Sequence, residues 1–328
     1  MIRRQRGVAL ITIMLVVVVA TILAVQMTND QSVAIGRAES ILDNDQVREY
    51  AYGGEELARQ ILYQNLKKNG AVDALSQDWA SNKLHYDFDQ GQINLKIEDL
   101  EGRLNLNSLA SADQQRQTLA KQRFMNLFSH LGIDTAFVNR IIDWVDRNEA
   151  KLPLGAEDYD YLGLEHPYRA ANRPMEDESE LRLLAGMDSD TYNAIAPYVC
   201  ALPDEDTDLN VNTVSARVLQ AIAPALSDDQ AEGIVNVRDT GKGYSQVQEF
   251  LGDPTLGIPS PVNNTGLSVQ SSYFQVSVVA QYRGHFAYLT SVIERNPTDG
   301  SMRVIYRDMS RKIYPVVADD SSAGTNNG

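Results

Sequence analysis

Cysteine is nearly absent from this chain. Cys200 stands alone among 328 residues, which excludes an intrachain disulfide and a cysteine-rich zinc site. Histidine is scarce too, and His85, His130, His166 and His285 show no metal-ligand spacing. Aromatics amount to 7%, few for a sugar-binding cleft, and no G-x-S-x-G elbow supplies a nucleophile. Positive charge is in deficit, with 29 basic against 44 acidic residues and a net charge of −15, so the surface repels nucleic acid and anionic lipid. The apolar share of 43% builds a sizeable core, which excludes wholesale disorder and a collagen-like fibre. The length suits two compact units.

What the chain does have begins at its N-terminus. Arg3, Arg4 and Arg6 precede an uncharged run over 8–25 whose only polar members are Thr12 and Thr21. As a helix that run spans ~27 Å, about the hydrocarbon thickness of a bilayer. A helix is the one way a single segment satisfies its backbone in lipid. The flanking arginines place the N-terminus in the cytoplasm and everything after Gln26 on the far side of the membrane. No A-x-A pattern follows the run in register, which disfavours an ordinary cleaved signal peptide and leaves a plain signal anchor as one alternative.

The junction Arg4-Gln5-Arg6-Gly7 followed by Val8-Ala9-Leu10-Ile11-Thr12 resembles the class III leader of type IV pilins and type II secretion pseudopilins. That resemblance implies cleavage after Gly7 by a prepilin peptidase on the cytoplasmic side and N-methylation of Val8. Processing removes three arginines, so 26 − 44 gives −18. Most such subunits carry glutamate where this chain has Thr12. A carboxylate in lipid is expensive unless paired, and in the family it meets a neighbouring subunit's amine. A subunit with nothing above it has no such amine to meet, so Thr12 marks a filament-capping position rather than a repeating one.

Residues 28–66 contain no proline, and Leu57, Ile61, Leu62 and Leu66 recur at helical spacing, extending the stem until Asn69-Gly70. Gly53-Gly54 offers a possible break. Alternation over 84–88 and 93–97 predicts a hairpin, and 274–282, 286–294 and 302–308 predict three further strands. An antiparallel sheet covering the stem buries these faces. The polar stretch 317–328 reads as a disordered tail. Between the strand groups lies helical sequence with an internal echo, since Asn105-Leu106-Asn107-Ser108 recurs as Asn210-Val211-Asn212-Thr213. Ser108 and Thr213 stand where a helix N-cap would be.

The run Ile97-Glu98-Asp99-Leu100-Glu101-Gly102-Arg103-Leu104-Asn105-Leu106-Asn107 is similar to the entry into the helical insert of the general secretion pathway protein K family, the large minor pseudopilins of type II secretion. Asp143-Trp144-Val145-Asp146, Gly155-Ala156-Glu157-Asp158, Glu180-Leu181-Arg182 and Asn210-Val211-Asn212-Thr213 follow in that family's order. The resemblance implies an α+β type IV pilin-like fold, with a long N-terminal transmembrane stem helix, an antiparallel sheet and a large all-α inserted domain. The organisation expected is a leader 1–7, a transmembrane stem 8–27, and a periplasmic stem and first hairpin over 28–102. An insert at 103–270 holds two SAM or helix-hairpin-helix-like repeats near 103–200 and 205–265. C-terminal strands at 271–316 complete the sheet.

Six acids crowd residues 143–160 against Arg147 and Lys151. Carboxylates gathered on one loop repel unless a hard cation sits among them, and oxygen ligands suit calcium. The family resemblance also implies calcium in this domain. The candidate ligands are Asp146, Asn148, Glu157, Asp158 and Asp160, with a solvated acidic loop as the alternative. The second repeat is similar to helix-hairpin-helix DNA-binding modules, which would make the chain a component of a competence or type IV-like pilus. Its hairpin has no glycine, however, and 204–262 carries ten acids and three bases, so protein docking is favoured over phosphate binding. Trp144 and Cys200 read as core residues. No catalytic residue is assigned. The partners implied are the I- and J-type minor pseudopilins, the major pseudopilin, the prepilin peptidase and the inner membrane, with secreted cargo and the outer-membrane secretin beyond, and no nucleic acid.

Overall fold

The computed structural model describes residues 6–81, 84–257 and 264–311. The start of the leader and the stretch read as a disordered tail lie outside them. Helix α1 (Arg6–Asn69) is unbroken for 64 residues, ~96 Å long, and passes straight through Gly53-Gly54. It stops where the sequence places its end: Gly70 takes φ 65°, a left-handed cap, and its N–H bonds Leu66 O at 3.0 Å. The face buried against the sheet runs Val47, Ala51, Gly54, Ala58, Leu62 and Leu66. Leu57 and Ile61, expected on that stripe, flank it half-buried. Small residues win the centre because they let the helix backbone approach the strands. A Cβ on Gly54 would lie 2.6 Å from Val278 Cγ1.

Strands β1 (Leu84–Phe88) and β2 (Gly91–Asp99) form the expected hairpin. Entering the insert, β3 (Leu104–Asn105) leads to α2 (Gln114–His130), α3 (Ala136–Val145), α4 (Asp158–Leu162) and α5 (Ser189–Ile195). Next, β4 (Val199–Cys200) pairs in parallel with β3. The second copy repeats the plan: β5 (Leu209–Asn210), α6 (Ala216–Ile222), α7 (Asp228–Thr240), α8 (Val247–Leu251), then β6 (Leu267–Ser268) in parallel with β5. The insert is therefore helical but not free of strand. Two-residue pairings leave no periodic trace in a sequence. One hydrophobic core runs through both copies, from Leu106, Phe124 and Ile141 to Val211, Leu219 and Phe250.

The chain then returns through β7 (Tyr273–Tyr282), β8 (His285–Arg295) and β9 (Met302–Asp308), giving one antiparallel sheet ordered β1-β2-β7-β8-β9. Ile93, Leu95, Ile97, Phe274, Val276, Val278 and Leu289 pack on α1 with Trp79. Alternation supplies this face, as strand geometry requires. Glu55 of α1 fastens the stem to β9 by accepting from Arg307 Nε and Nη2 at 2.8 and 2.7 Å.

The echoed asparagines carry the same work in both copies. Asn105 Oδ1 and Asn210 Oδ1 accept from the N–H two residues on, at 3.1 and 3.0 Å. Asn107 grips Met175 through both its N–H and its C=O, and Asn212 grips Tyr244 in the same way. Ser108 and Thr213 are not the helix N-caps expected. Ser108 Oγ donates to Asn105 O and Thr213 Oγ1 donates to Asp99 Oδ2, while Asp113 and Ser215 cap α2 and α6. The helices begin a few residues later than the motif suggests.

Asn210 also pins the insert to the sheet. Its Nδ2 donates to Asp73 O, Asp99 Oδ2 and Ser271 Oγ at 3.0, 3.0 and 2.8 Å. Ser271 Oγ donates to the same Asp99 oxygen at 2.6 Å, and Asp73 pairs with Arg295, which is wholly buried and stacked over Phe274 at 4.7 Å.

Candidate functional site

Two features are the functional candidates, the N-terminal stem and the acidic loop. Among the described residues α1 is the one helix long and apolar enough to cross a membrane. Its apolar side chains have no partner in the fold, as Ile11 at 69% and Val19 at 48% exposure illustrate. Exposure continues past the uncharged run at Val33, Ile35, Ile41 and Leu42, before the sheet takes hold near Val47. Gly7 and Val8 lie in the first turn. Thr12 Oγ1 donates to Ala9 O at 2.9 Å, so its hydroxyl is satisfied inside its own helix without a neighbouring subunit.

The acidic loop leaves α3 and re-enters at α4. Asp143, in the last turns of α3, is wholly buried and accepts from Leu152 N at 3.2 Å through both oxygens. Gly155 permits this closure, since a Cβ there would meet Asp143 Oδ2 at 1.8 Å. Burial pushes Asp143 up to about 6. Asp146 caps α3, takes Asn148 Nδ2 at 2.7 Å, and is also raised by burial. Glu157 is 6% exposed and neither carboxylate oxygen finds a hydrogen bond among the described residues. Burial first, then the charges of Asp143 and Asp146, push it up to about 7.

The other two acids are already compensated. Asp160 takes Lys151 Nζ at 2.7 Å and Glu157 N at 3.0 Å, which hold it below the usual carboxylate range. Asp158 takes Arg169 Nη1 and Ala170 N, both at 2.9 Å. The loop thus divides the expected ligands. Asp146 and Glu157 have no cationic partner among the described residues, whereas Asp158 and Asp160 each have one. Asp143, one of the six acids but not among the candidate ligands, also has no cationic partner among the described residues. As placed, no three acid, histidine or cysteine side chains among the described residues converge to hold an ion.

Trp144 and Cys200 lie in the core as expected. Trp144 meets Tyr161 edge-on at 5.2 Å, and the Cys200 thiol donates to Leu100 O at 3.3 Å. The hairpin between α6 and α7 presents Asp228, which takes Arg217 Nη1 at 2.6 Å.

A long exposed apolar helix whose C-terminal half is clamped by an antiparallel sheet defines a membrane-anchored, pilin-like subunit, and the insert between β2 and β7 marks a large variant of it. Family models described as "Type II secretion system (T2SS), protein K" match residues 102–204 and 209–270. A type II secretion system protein K of Pseudomonas aeruginosa is 38% identical over 96% of this chain and 96% of its own length. Its counterpart in Klebsiella pneumoniae is 34% identical over 77% of this chain and 81% of its own. The crystal structure of the GspK-GspI-GspJ complex from enterotoxigenic Escherichia coli contains a similar chain, with a TM-score of 0.73 and 29% identity, covering 84% of this chain and 100% of that one. The chain belongs to the type II secretion system protein K family and is a minor pseudopilin of that system.

Proposed function

We propose that this subunit caps the tip of the pseudopilus and primes its assembly together with I-type and J-type minor pseudopilins, for export of folded proteins through the outer-membrane secretin. The observation that carries the reading is the similar chain of the solved GspK-GspI-GspJ complex, which there stands with GspI and GspJ. Two features of this chain support it. Thr12 leaves no buried carboxylate seeking a neighbour's amine, and residues 103–270, as an inserted domain of two related units near 103–200 and 205–265, are too bulky to recur along a filament. The stem spans the inner membrane once, with its N-terminus in the cytoplasm and the rest in the periplasm, after cleavage between Gly7 and Val8 and methylation of Val8. The role is one of assembly rather than catalysis. Intact mass of the chain recovered from membranes, with and without the peptidase, tests the processing. A mass that begins at Met1 in both cases refutes it.

We further propose a structural calcium ion bound between Asp146 and Glu157. Closure of the loop brings Asp143 and the Asn148 side-chain oxygen to it, since as placed the three acids do not converge. The unpartnered, buried carboxylate of Glu157 supports this reading, because a carboxylate so placed is costly without a counter-charge. The ion would fasten the loop onto α3. Asp158 and Asp160 instead hold the loop's far end through Arg169 and Lys151. Calcium should raise the melting temperature of the full chain, and a D146A/E157A double variant should lose that rise. No rise in the native chain refutes the site.

A further inference from the structure

Strand β9 is an outer strand of the sheet, hydrogen-bonded to β8 along one side. An outer strand offers its second row of backbone groups to any extended chain laid beside it, so natural sheets cover or blunt that edge. A groove of about 690 Å³ runs between this part of the sheet and residues 173–178 of the insert. Its floor is apolar, with Val292 of β8 and Ile305 of β9 half-buried against Leu100 and Cys200. Leu289 and Ile293 of β8 pack on α1, so Tyr288, Thr290 and Val292 share the opposite face, the one that floors the groove.

Past β9 the chain turns onto this same face. Asp308 Oδ1 accepts from Ser310 N at 2.8 Å and Oδ2 from Ser310 Oγ at 2.9 Å, an Asx-type turn that ends the strand. The Arg311 guanidinium then lies over the Tyr288 ring at 5.5 Å. Val292 stands four residues beyond Tyr288, ~13 Å along β8. In the sequence Arg311 is followed by Lys312-Ile313-Tyr314-Pro315-Val316-Val317, which lies outside the described residues. Extended, that segment spans ~20 Å, enough to cover the groove. Ile313, Tyr314, Val316 and Val317 are β-branched or aromatic, the residue types that favour a strand. Pro315 has no N–H to give, which an outer strand tolerates and a central one does not.

We propose that residues 312–317 return antiparallel to β9 as a sixth strand, with one apolar face seated in the groove over Val292 and Ile305. Alternate residues point to opposite faces of a strand, and here both sets, Ile313 with Val317 and Tyr314 with Val316, are apolar. The short tether gives the segment an effective concentration of about 1 mM or more, an advantage over a strand brought by any partner. The covered edge then offers other chains no template for strand addition.

The test is hydrogen exchange read by mass spectrometry on the full chain in detergent, native against an I313D/V316D double variant. Fragments covering 302–308 should exchange ~10-fold faster in the variant, while those covering β2 and β7 keep their rates. A synthetic peptide of residues 312–317, added at about 5 mM, should restore slow exchange to the variant. The same peptide carrying the two aspartates should not, and equal restoration by it overturns the apolar seat. Equal exchange over 302–308 in the native chain and the variant overturns the proposal, as does a loss of protection spread evenly through the sheet. Slow exchange that depends on protein concentration, with a dimer mass in light scattering, seats the segment of a second copy in the groove and overturns the returning strand.

Discussion

Adjacent glycines in one helix should respond in opposite senses to the same substitution. Gly53 and Gly54 sit side by side in α1, where each costs about 1 kcal/mol relative to alanine. A Cβ on Gly53 meets nothing within 4 Å, so Gly53→Ala should stabilise the body by about 1 kcal/mol. A Cβ on Gly54 would lie 2.6 Å from Val278 Cγ1 and 3.2 Å from both Val278 Cγ2 and Ile93 Cγ2. Those methyls belong to β-branched residues on neighbouring strands and cannot swing clear. Overpacking of this kind costs about 1–3 kcal/mol, so after the helix gain Gly54→Ala should destabilise by ~0–2 kcal/mol. The two tryptophans allow a clean assay, because Trp79 lies in the core between stem and sheet and Trp144 in the core of the insert. In a Trp144→Phe background, thermal unfolding followed by Trp79 fluorescence should show the variants displaced in opposite directions, by about 2–4 °C per kcal/mol. If Gly54→Ala raises the midpoint as much as Gly53→Ala does, the stem does not lie this close to β7 and the small-residue face is misread.

Asn210→Ala should cost ~2–4 kcal/mol in denaturant melts, since it removes bonds to Asp73 O, Asp99 and Ser271 at once, while Thr213→Val, removing one bond to Asp99, should cost ~1 kcal/mol. Asp99 stands at about 6, raised by burial from 3.8, so the folded state holds its proton over a window where the unfolded chain has lost it. Stability should therefore fall as pH rises from about 4 to 6 and level off above, and a urea midpoint that climbs across this window contradicts the placement. Glu157, at about 7, and Asp143, at about 6, must shed protons to hold calcium, so calcium affinity should rise between pH 5.5 and 8 with measurable proton release. Affinity flat across that range would remove Glu157 from the ligand set.

The stem and the five strands were legible because they depend on local pattern, an unbroken apolar run for one and period-two alternation for the others. The stem's contact face was not, because Ala51, Gly54 and Ala58 carry no hydrophobic signal of their own and are selected by how closely a sheet must approach. The asparagine echo announced a repeat, but its work depends on backbone groups far along the chain, as when Asn107 reaches Met175 and Leu202. No local rule assigns that, and the nearby hydroxyls of Ser108 and Thr213 drew the cap assignment instead. In the acidic loop, sequence proximity favoured Asp158 and Asp160, whereas folding delivers Arg169 and Lys151 to them and turns Asp143 inward to face the loop. Charge counts cannot say which carboxylates are left unpaired.

The two ends of the insert leave the sheet at one point, since Asp99 of β2 stands opposite Phe274 of β7 in the same antiparallel ladder. Residues 100–273 thus occupy the position of a hairpin loop between adjacent strands. Tension or thrust entering along the stem passes into the ladder through its contacts with β7 and β8 and closes there, from strand to strand. The insert hangs beside that load path, joined to it at the bonds of Asn210 to Asp73, Asp99 and Ser271. A tight turn joining β2 to β7 would leave the mechanical circuit whole, so the insert could be exchanged or enlarged over generations without altering how the shaft bears force.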